Sequence, residues 1–170
     1  MAITMYSASV PVFVRMLGNL STWLDKAEAH AQSRKFDPQA FLDTRLAPDM
    51  LAFKTQIQIA CDAAKFAVSR LAGVEAPKFD DKEASLADLR ERIRATVAFV
   101  QSVPAAKFDG SEERDMVIVR RHDTLSMKGE PYLKFYSLPN FYFHVTTTYA
   151  LLRHGGVELG KADYLGAPTP

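Results

Sequence analysis

The chain is poor in cysteine and in excess charge, and it has no long apolar run. A single cysteine among 170 residues, Cys61, excludes an internal disulfide and a multi-cysteine zinc cluster. The 21 basic and 20 acidic residues leave a formal net charge of +1, so no global field attracts nucleic acid or an acidic membrane. No apolar segment approaches the roughly 18–20 residues that span a bilayer. We therefore expect a protein that binds neither nucleic acid nor membrane.

Motifs for phosphate binding and nucleophilic catalysis are also missing. The glycines form neither a G-x-x-x-x-G-K nor a G-x-G-x-x-G loop, and no serine stands in a glycine-flanked nucleophile elbow. The N-terminus lacks a basic segment followed by an apolar stretch and a cleavage site, which predicts a cytoplasmic protein. No cofactor is predicted.

What the sequence does contain is enough apolar material for a core. Hydrophobic residues make up 48% of the chain and charged residues 24%, the balance of an ordinary globular protein. At this length we expect one domain over residues 1–170. The neighbours of Cys61, which are Ile57, Ala60 and Ala64, indicate a buried helical position and favour a buried thiol over the alternative of a reactive one.

Apolar residues recur at steps of three and four in several segments, which predicts helices that bury one face. Pro11 fits a first turn, so the first regular helix is expected to begin near Val10. The glycine pair Gly155-Gly156 is suited to a left-handed helix stop. In the third helix a run of mixed charge that includes Arg92 is expected to form a solvated outer face. The four helices are predicted at about residues 6–29, 49–72, 82–101 and 140–154.

The segment before the last helix has a different pattern. Met116-Val117-Ile118-Val119 favours a β-strand, Lys128-Gly129 is a turn signal, and residues 132–136 follow it. We predict a small antiparallel hairpin from these two runs. The tail after residue 156 is expected to run extended, anchored by Tyr164 and Leu165. The predicted fold class is therefore all-α, an up-and-down four-helix bundle with a small β-hairpin before the last helix.

Helical bundles place their sites between helices, where polar residues interrupt apolar faces. Gln56 lies close to the apolar stripe of the second helix, and His144 and Thr148 share an inner face of the fourth. A neutral imidazole at His144 can act as a metal ligand or a general base. The alternative is a buried histidine hydrogen-bonded to Gln56, Tyr132 or a backbone carbonyl.

Aromatic residues are concentrated around the last helix. They can form ordinary core, a subunit interface or a ligand pocket. Trp23, beside the stripe of the first helix, is expected to cap the bundle end or a partner surface. The seven aromatic residues are Tyr132, Phe135, Tyr136, Phe141, Tyr142, Phe143 and Tyr149.

Several segments resemble the DUF1993 family of bacterial proteins of unknown function. They are Leu46-Ala47-Pro48-Asp49-Met50, Gln56-Ile57-Gln58, Leu138-Pro139-Asn140-Phe141-Tyr142-Phe143-His144 and Arg153-His154-Gly155-Gly156-Val157-Glu158-Leu159-Gly160-Lys161. That family is similar to the DinB/YfiT-like four-helix bundles, which are often described as candidate metalloenzymes and include thiol-dependent transferases. The resemblance covers essentially the whole chain and implies the same fold.

The resemblance does not extend to the metal ligands. Metal-binding DinB-like proteins take one histidine from the second helix and two, four residues apart, from the fourth. Here the second helix has no histidine, and Thr148 stands four residues after His144. We expect no metal, with Asp49 capping the second helix rather than ligating.

The predicted function is that of a non-metal DinB-like bundle that binds a small ligand or acts as a homodimer. Its ligand-binding residues are predicted to be Gln56, His144 and Thr148. The alternative is a metal- or thiol-dependent transferase or hydrolase that uses His144. Whether the chain is an enzyme is left open.

Overall fold

The computed structural model describes residues 3–120 and 122–167 of the chain. Within these residues the fold is mostly helical, with one two-stranded antiparallel hairpin. These residues contain a fifth, short helix in addition to the four that were predicted. No helix in this part of the chain combines the length and apolar character needed to cross a membrane. The helices are α1 (Val10–Arg34), α2 (Phe53–Ala72), α3 (Leu86–Ser102), α4 (Leu138–His154) and α5 (Lys161–Leu165), and the strands are β1 (Asp115–Val119) and β2 (Thr124–Lys128).

Helix α1 begins at Val10, as its first-turn proline predicts, and buries the expected stripe of Phe13, Leu17 and Leu24. It runs past residue 29 to Arg34, where Lys35 takes a left-handed conformation with φ of 59°. Helix α2 packs against both α3 and α4, and α1 packs against α3 and α4. These contacts place the core between the four long helices.

Helix α2 begins later than the sequence predicts. Residues 48–50 form a turn, and the helix begins at Phe53 with Ala52 as its N-cap. Asp49 is exposed and does not cap it. Instead, the amide of Phe53 donates to the Thr44 carbonyl, because the preceding segment folds back over the helix start. The end at Gly73, with φ of 65°, is as predicted.

Helix α3 also begins later, at Leu86 instead of residue 82. The Ser85 side chain accepts a hydrogen bond from the Asp88 amide at 3.1 Å and so caps the first turn. Residues 74–84, which precede this cap, have no regular structure.

The hairpin prediction is correct for the first strand and wrong for the second. Strand β1 pairs with residues 124–128, with Val117 opposite Ser126. Residues 132–136 belong instead to a π-helical segment, Tyr132–Ser137, which follows a helical turn at Gly129–Pro131 and continues directly into α4. Burial of Tyr132, Leu133 and Ser137, with Lys134 exposed, follows a helical period and not the alternation of a strand.

The tail is not extended throughout, because Lys161–Leu165 forms α5. Tyr164 is half-buried and stacks on Trp23, with ring centroids 5.7 Å apart, so it is an anchor as predicted. Leu165 is exposed and does not anchor the tail, contrary to the prediction. Residues 168–170 of the predicted tail lie outside the described residues.

Candidate functional site

Helices α2 and α4 bring Gln56 and His144 together. Nδ1 of His144 lies 2.7 Å from Oε1 of Gln56, one of the three partners expected from the sequence. Nε2 of Gln56 donates to the carbonyl of Leu51 at 3.0 Å, in the turn that leads into α2. Because the amide nitrogen is used as a donor, the amide oxygen accepts, and Nδ1 of His144 carries the ring proton. The lone pair of the imidazole is therefore on Nε2.

The electrostatics of His144 favour a neutral ring. Burial lowers the pKa of His144 below its ordinary value of 6.5, since the charged form loses hydration. The residue keeps 7% of its surface exposed. Nε2 makes no hydrogen bond with any residue in the described part of the chain. The site therefore presents one oriented, neutral acceptor nitrogen.

Thr148 is fully buried on the inner face of α4, as predicted, but its hydroxyl is already used. It donates to the carbonyl of His144 at 2.8 Å, a common bond between a helical threonine and the preceding turn. Both ends of the Gln56 amide are also used. Of the three predicted ligand residues, only His144 has a side-chain polar atom that makes no hydrogen bond to the described residues.

The residues around His144 do not fit a tightly held zinc or nickel ion. Such ions need three or four nitrogen, sulfur or carboxylate donors. Asp49 lies in the exposed turn before α2, and Cys61 is fully buried in the core. Among residues 3–120 and 122–167, no group of three or more His, Cys, Asp or Glu side chains could hold a metal ion.

The cysteine prediction is confirmed. Cys61 is fully buried, and burial raises the pKa of its thiol to about 12. The thiolate is the nucleophilic form, so this side chain is an inert part of the core. His154 is exposed at the end of α4 and does not approach His144.

The aromatic residues divide between core and surface. Tyr132 and Phe141 are fully buried, whereas Phe135 is 77% and Phe143 is 56% exposed. The ring of Phe143 lies edge-on to His144, with centroids 5.2 Å apart. Ordinary core therefore accounts for only some of these residues.

Trp23 is not a partner surface. It is fully buried, and its Nε1 donates to the carbonyl of Asp163 at 3.1 Å. Its ring packs against Tyr149 and Tyr164. Trp23 was also predicted to cap the end of the bundle, but in the structure it is itself covered by α5.

A buried charge cluster on α2 and α3 was not predicted. Arg92 is buried and lies 2.9 Å from Asp62, 2.5 Å from Asp81 and 2.8 Å from Glu83. Lys65, also buried, lies 2.8 Å from Asp62. The expected solvated face is wrong for Arg92, whose three-residue offset from Leu89 places it on the inner side of α3. That spacing was the available signal.

The comparisons with known proteins agree with the fold. The model of DUF1993, a domain of unknown function, matches residues 5–165, which include both Gln56 and His144. A solved structure described as a DinB family member protein from Shewanella denitrificans is 42% identical, with a TM-score of 0.88 over 96% of this chain and 92% of that one. Curated proteins give no match. The resemblance predicted from the sequence is confirmed, and the chain belongs to the DUF1993 family.

Proposed function

We propose that this protein binds a small molecule through Nε2 of His144. The observation that carries the proposal is the neutral ring, oriented by Gln56, whose remaining nitrogen has no protein partner among the described residues. An oriented acceptor at the edge of a buried site is a pre-organised contact, which lowers the entropic cost of binding.

The surroundings of the nitrogen define the chemistry of the ligand. Phe143 lies against the imidazole, and Leu51, whose carbonyl holds Gln56, is exposed beside it. The matching ligand carries a hydrogen-bond donor, such as a hydroxyl or an amide, next to an apolar group. Gln56 acts by orienting the ring, and the hydroxyl of Thr148 donates to the carbonyl of His144.

The test is a fragment screen followed by thermal shift with matched histidine variants. A compound that stabilises the wild type should lose its effect in His144→Ala and keep it in His154→Ala, because His154 is exposed and remote from Gln56. If every stabilising compound acts equally on His144→Ala, the proposal is wrong.

A homodimer is the second role, favoured by the exposed apolar side chains of Leu51 and Phe143 beside the site. Light scattering should give twice the monomer mass, and Phe143→Asp should restore the monomer. Phe135→Asp is the control, since it places the same charge on another exposed aromatic position. A monomeric wild type at high concentration would exclude this role.

The enzyme alternative also depends on Nε2, which can accept a proton from a substrate. A thiol for transfer would have to come from a co-substrate, because Cys61 is buried. Metal analysis separates this alternative from simple binding. Protein without a His-tag, incubated with zinc and nickel, is expected to bind far less than one metal ion per chain. Binding of about one ion per chain that is lost in His144→Ala would favour a metal-dependent enzyme.

A further inference from the structure

A groove of about 170 Å³ lies between α2 and the π-helical segment that precedes α4. We call it the π groove. Its walls include Ile59 and Phe66 from α2, Ile118 from β1, and Ser137 from the end of the π-helical segment. Gln56, His144 and Thr148 are not among its lining residues, so it is separate from the site proposed above. Single π-helical stretches inside helices are frequent at functional sites.

The guanidinium of Arg70 lines this groove, where other side chains fix its position but no ion pair with the described residues neutralises its charge. Its Nη1 donates to the hydroxyl of Tyr132 at 3.1 Å, and its guanidinium lies over the rings of Phe66 and Tyr132, 5.2 and 5.8 Å from their centroids. No carboxylate of the described residues forms an ion pair with it. The buried cations on the neighbouring faces, Lys65 and Arg92, are both paired.

Ser137 places an unsatisfied hydroxyl in the same groove. The residue is 2% exposed, and its Oγ meets no hydrogen-bonding geometry with any residue the structure describes. It lies beside the phenol of Tyr132 but outside hydrogen-bonding geometry. Burial raises the pKa of Tyr132, against the opposing effect of Arg70, so the phenol stays protonated at neutral pH. A buried polar group without a partner is uncommon in folded proteins and is explained if a ligand satisfies it.

The remaining walls indicate what else such a ligand contains. Ile59, Phe66 and Ile118 offer apolar and aromatic surface. Asp62 also lines the groove and disfavours a second negative charge on the ligand. The volume corresponds to about six water molecules, which is enough for a small organic acid.

We propose that the π groove binds a small monocarboxylic acid with an apolar or aromatic body. Arg70 and Ser137 contact the carboxylate, and Phe66 and Ile59 contact the body. A planar guanidinium matches a carboxylate with two parallel hydrogen bonds, and the aromatic ring beneath it keeps it in place.

The experiment is an NMR titration of uniformly ¹⁵N-labelled protein with benzoate at low ionic strength. We expect saturable shifts in the amides of residues 66–70 and 132–140. Arg70→Met should weaken binding by about tenfold or more, since it removes a charge-assisted pair. Arg94→Met is the matched control and should bind as the wild type does, because Arg94 is exposed and paired with Glu91.

Two further variants keep the test decisive. Arg70→Lys retains the charge without the planar fork and should bind less tightly than the wild type, which covers the case in which Arg70→Met fails to fold. Ser137→Ala should raise the melting temperature, because it removes an unpaired buried hydroxyl, and at the same time weaken benzoate binding. A serine with a structural role alone would not change the affinity.

Three outcomes would overturn the proposal: no saturable shift up to about 20 mM benzoate, well beyond the millimolar range of weak binding; equal affinity in Arg70→Met; or equal affinity for benzyl alcohol, which lacks the carboxylate. The titration is repeated in His144→Ala, where benzoate binding should persist. The two proposals can therefore fail independently, because benzoate binding in the π groove does not require His144.

Discussion

Two buried polar clusters share helix α2, and they differ in whether their groups are charged and ion-paired or neutral. Around Arg92, three carboxylates surround one guanidinium. Around His144, one amide satisfies one ring nitrogen and leaves the other without a partner among the described residues. A buried charge is tolerated only when it is compensated, whereas a neutral imidazole can remain half satisfied. Charge compensation within the protein indicates a structural role. A neutral ring nitrogen without a partner among the described residues, in a side chain that keeps some exposed surface, indicates a position open to a ligand.

The Arg92 cluster has a clear structural task. It holds Asp81 and Glu83, which lie in the irregular segment before α3, against α2 and α3. Asp81 adopts a left-handed conformation with φ of 52°, a strained state for a residue with a side chain. Burial opposes ionisation of Glu83, but hydrogen bonds from Arg92 and Gln58 outweigh it and lower the pKa of that carboxyl.

The largest expected effect comes from breaking the ion-paired Arg92 cluster. Arg92→Met should lower the free energy of unfolding by about 3 kcal/mol, because it leaves carboxylates without their cation. Urea denaturation measures the change. Arg94→Met on the exposed face of the same helix should cost less than about 0.5 kcal/mol; similar costs for the two variants would mean that the Arg92 cluster contributes no more than a surface pair.

The next largest effect comes from the half-satisfied pair. Gln56→Leu keeps the volume but leaves the Nδ1 proton of His144 and the carbonyl of Leu51 without their partner, which should cost about 2 kcal/mol. The double variant Gln56→Leu/His144→Phe should recover part of this loss, since no buried donor remains at position 144. Additive losses in urea denaturation would show that the two side chains do not interact.

A smaller effect should be visible in the pH dependence of stability. Because the pKa of His144 is lowered in the folded state, the unfolded chain binds more protons just below pH 6.5, and stability falls as the pH is lowered through that window. His144→Gln should remove this part of the slope between about pH 7.5 and 5.5. An unchanged slope would indicate that the ring is already hydrated and titrates normally. Glu83 adds a further loss of stability at more acidic pH, because its carboxyl has a lowered pKa in the folded state and becomes protonated there.

The smallest effect is expected at Thr148. Its hydroxyl bonds only to its own helix, so Thr148→Val should change the free energy of unfolding by less than about 1 kcal/mol. It should leave the effect of any His144-dependent ligand unchanged. A ligand that loses affinity in Thr148→Val would restore the sequence-based prediction that this residue is part of the site.

Much of the helical scaffold could be predicted from local patterns. The stripe of α1, its start after Ser9 and the stops at Gly73 and Gly155 follow from spacing, proline and glycine. The failures have tertiary causes. Residues 132–136 have β-prone aromatic character, but their burial against α2 selects a π-helical continuation of α4.

The sequence by itself determined the family, the helical fold and the inward position of His144, because helical periodicity assigns each side chain to a face. The tertiary structure alone decided which polar atoms are used up. Whether Gln56 orients the imidazole, and whether Arg70 meets a carboxylate among the described residues, depends on groups that are distant in the chain. Spacing along a helix specifies direction, whereas pairing of buried polar groups requires the packed neighbours.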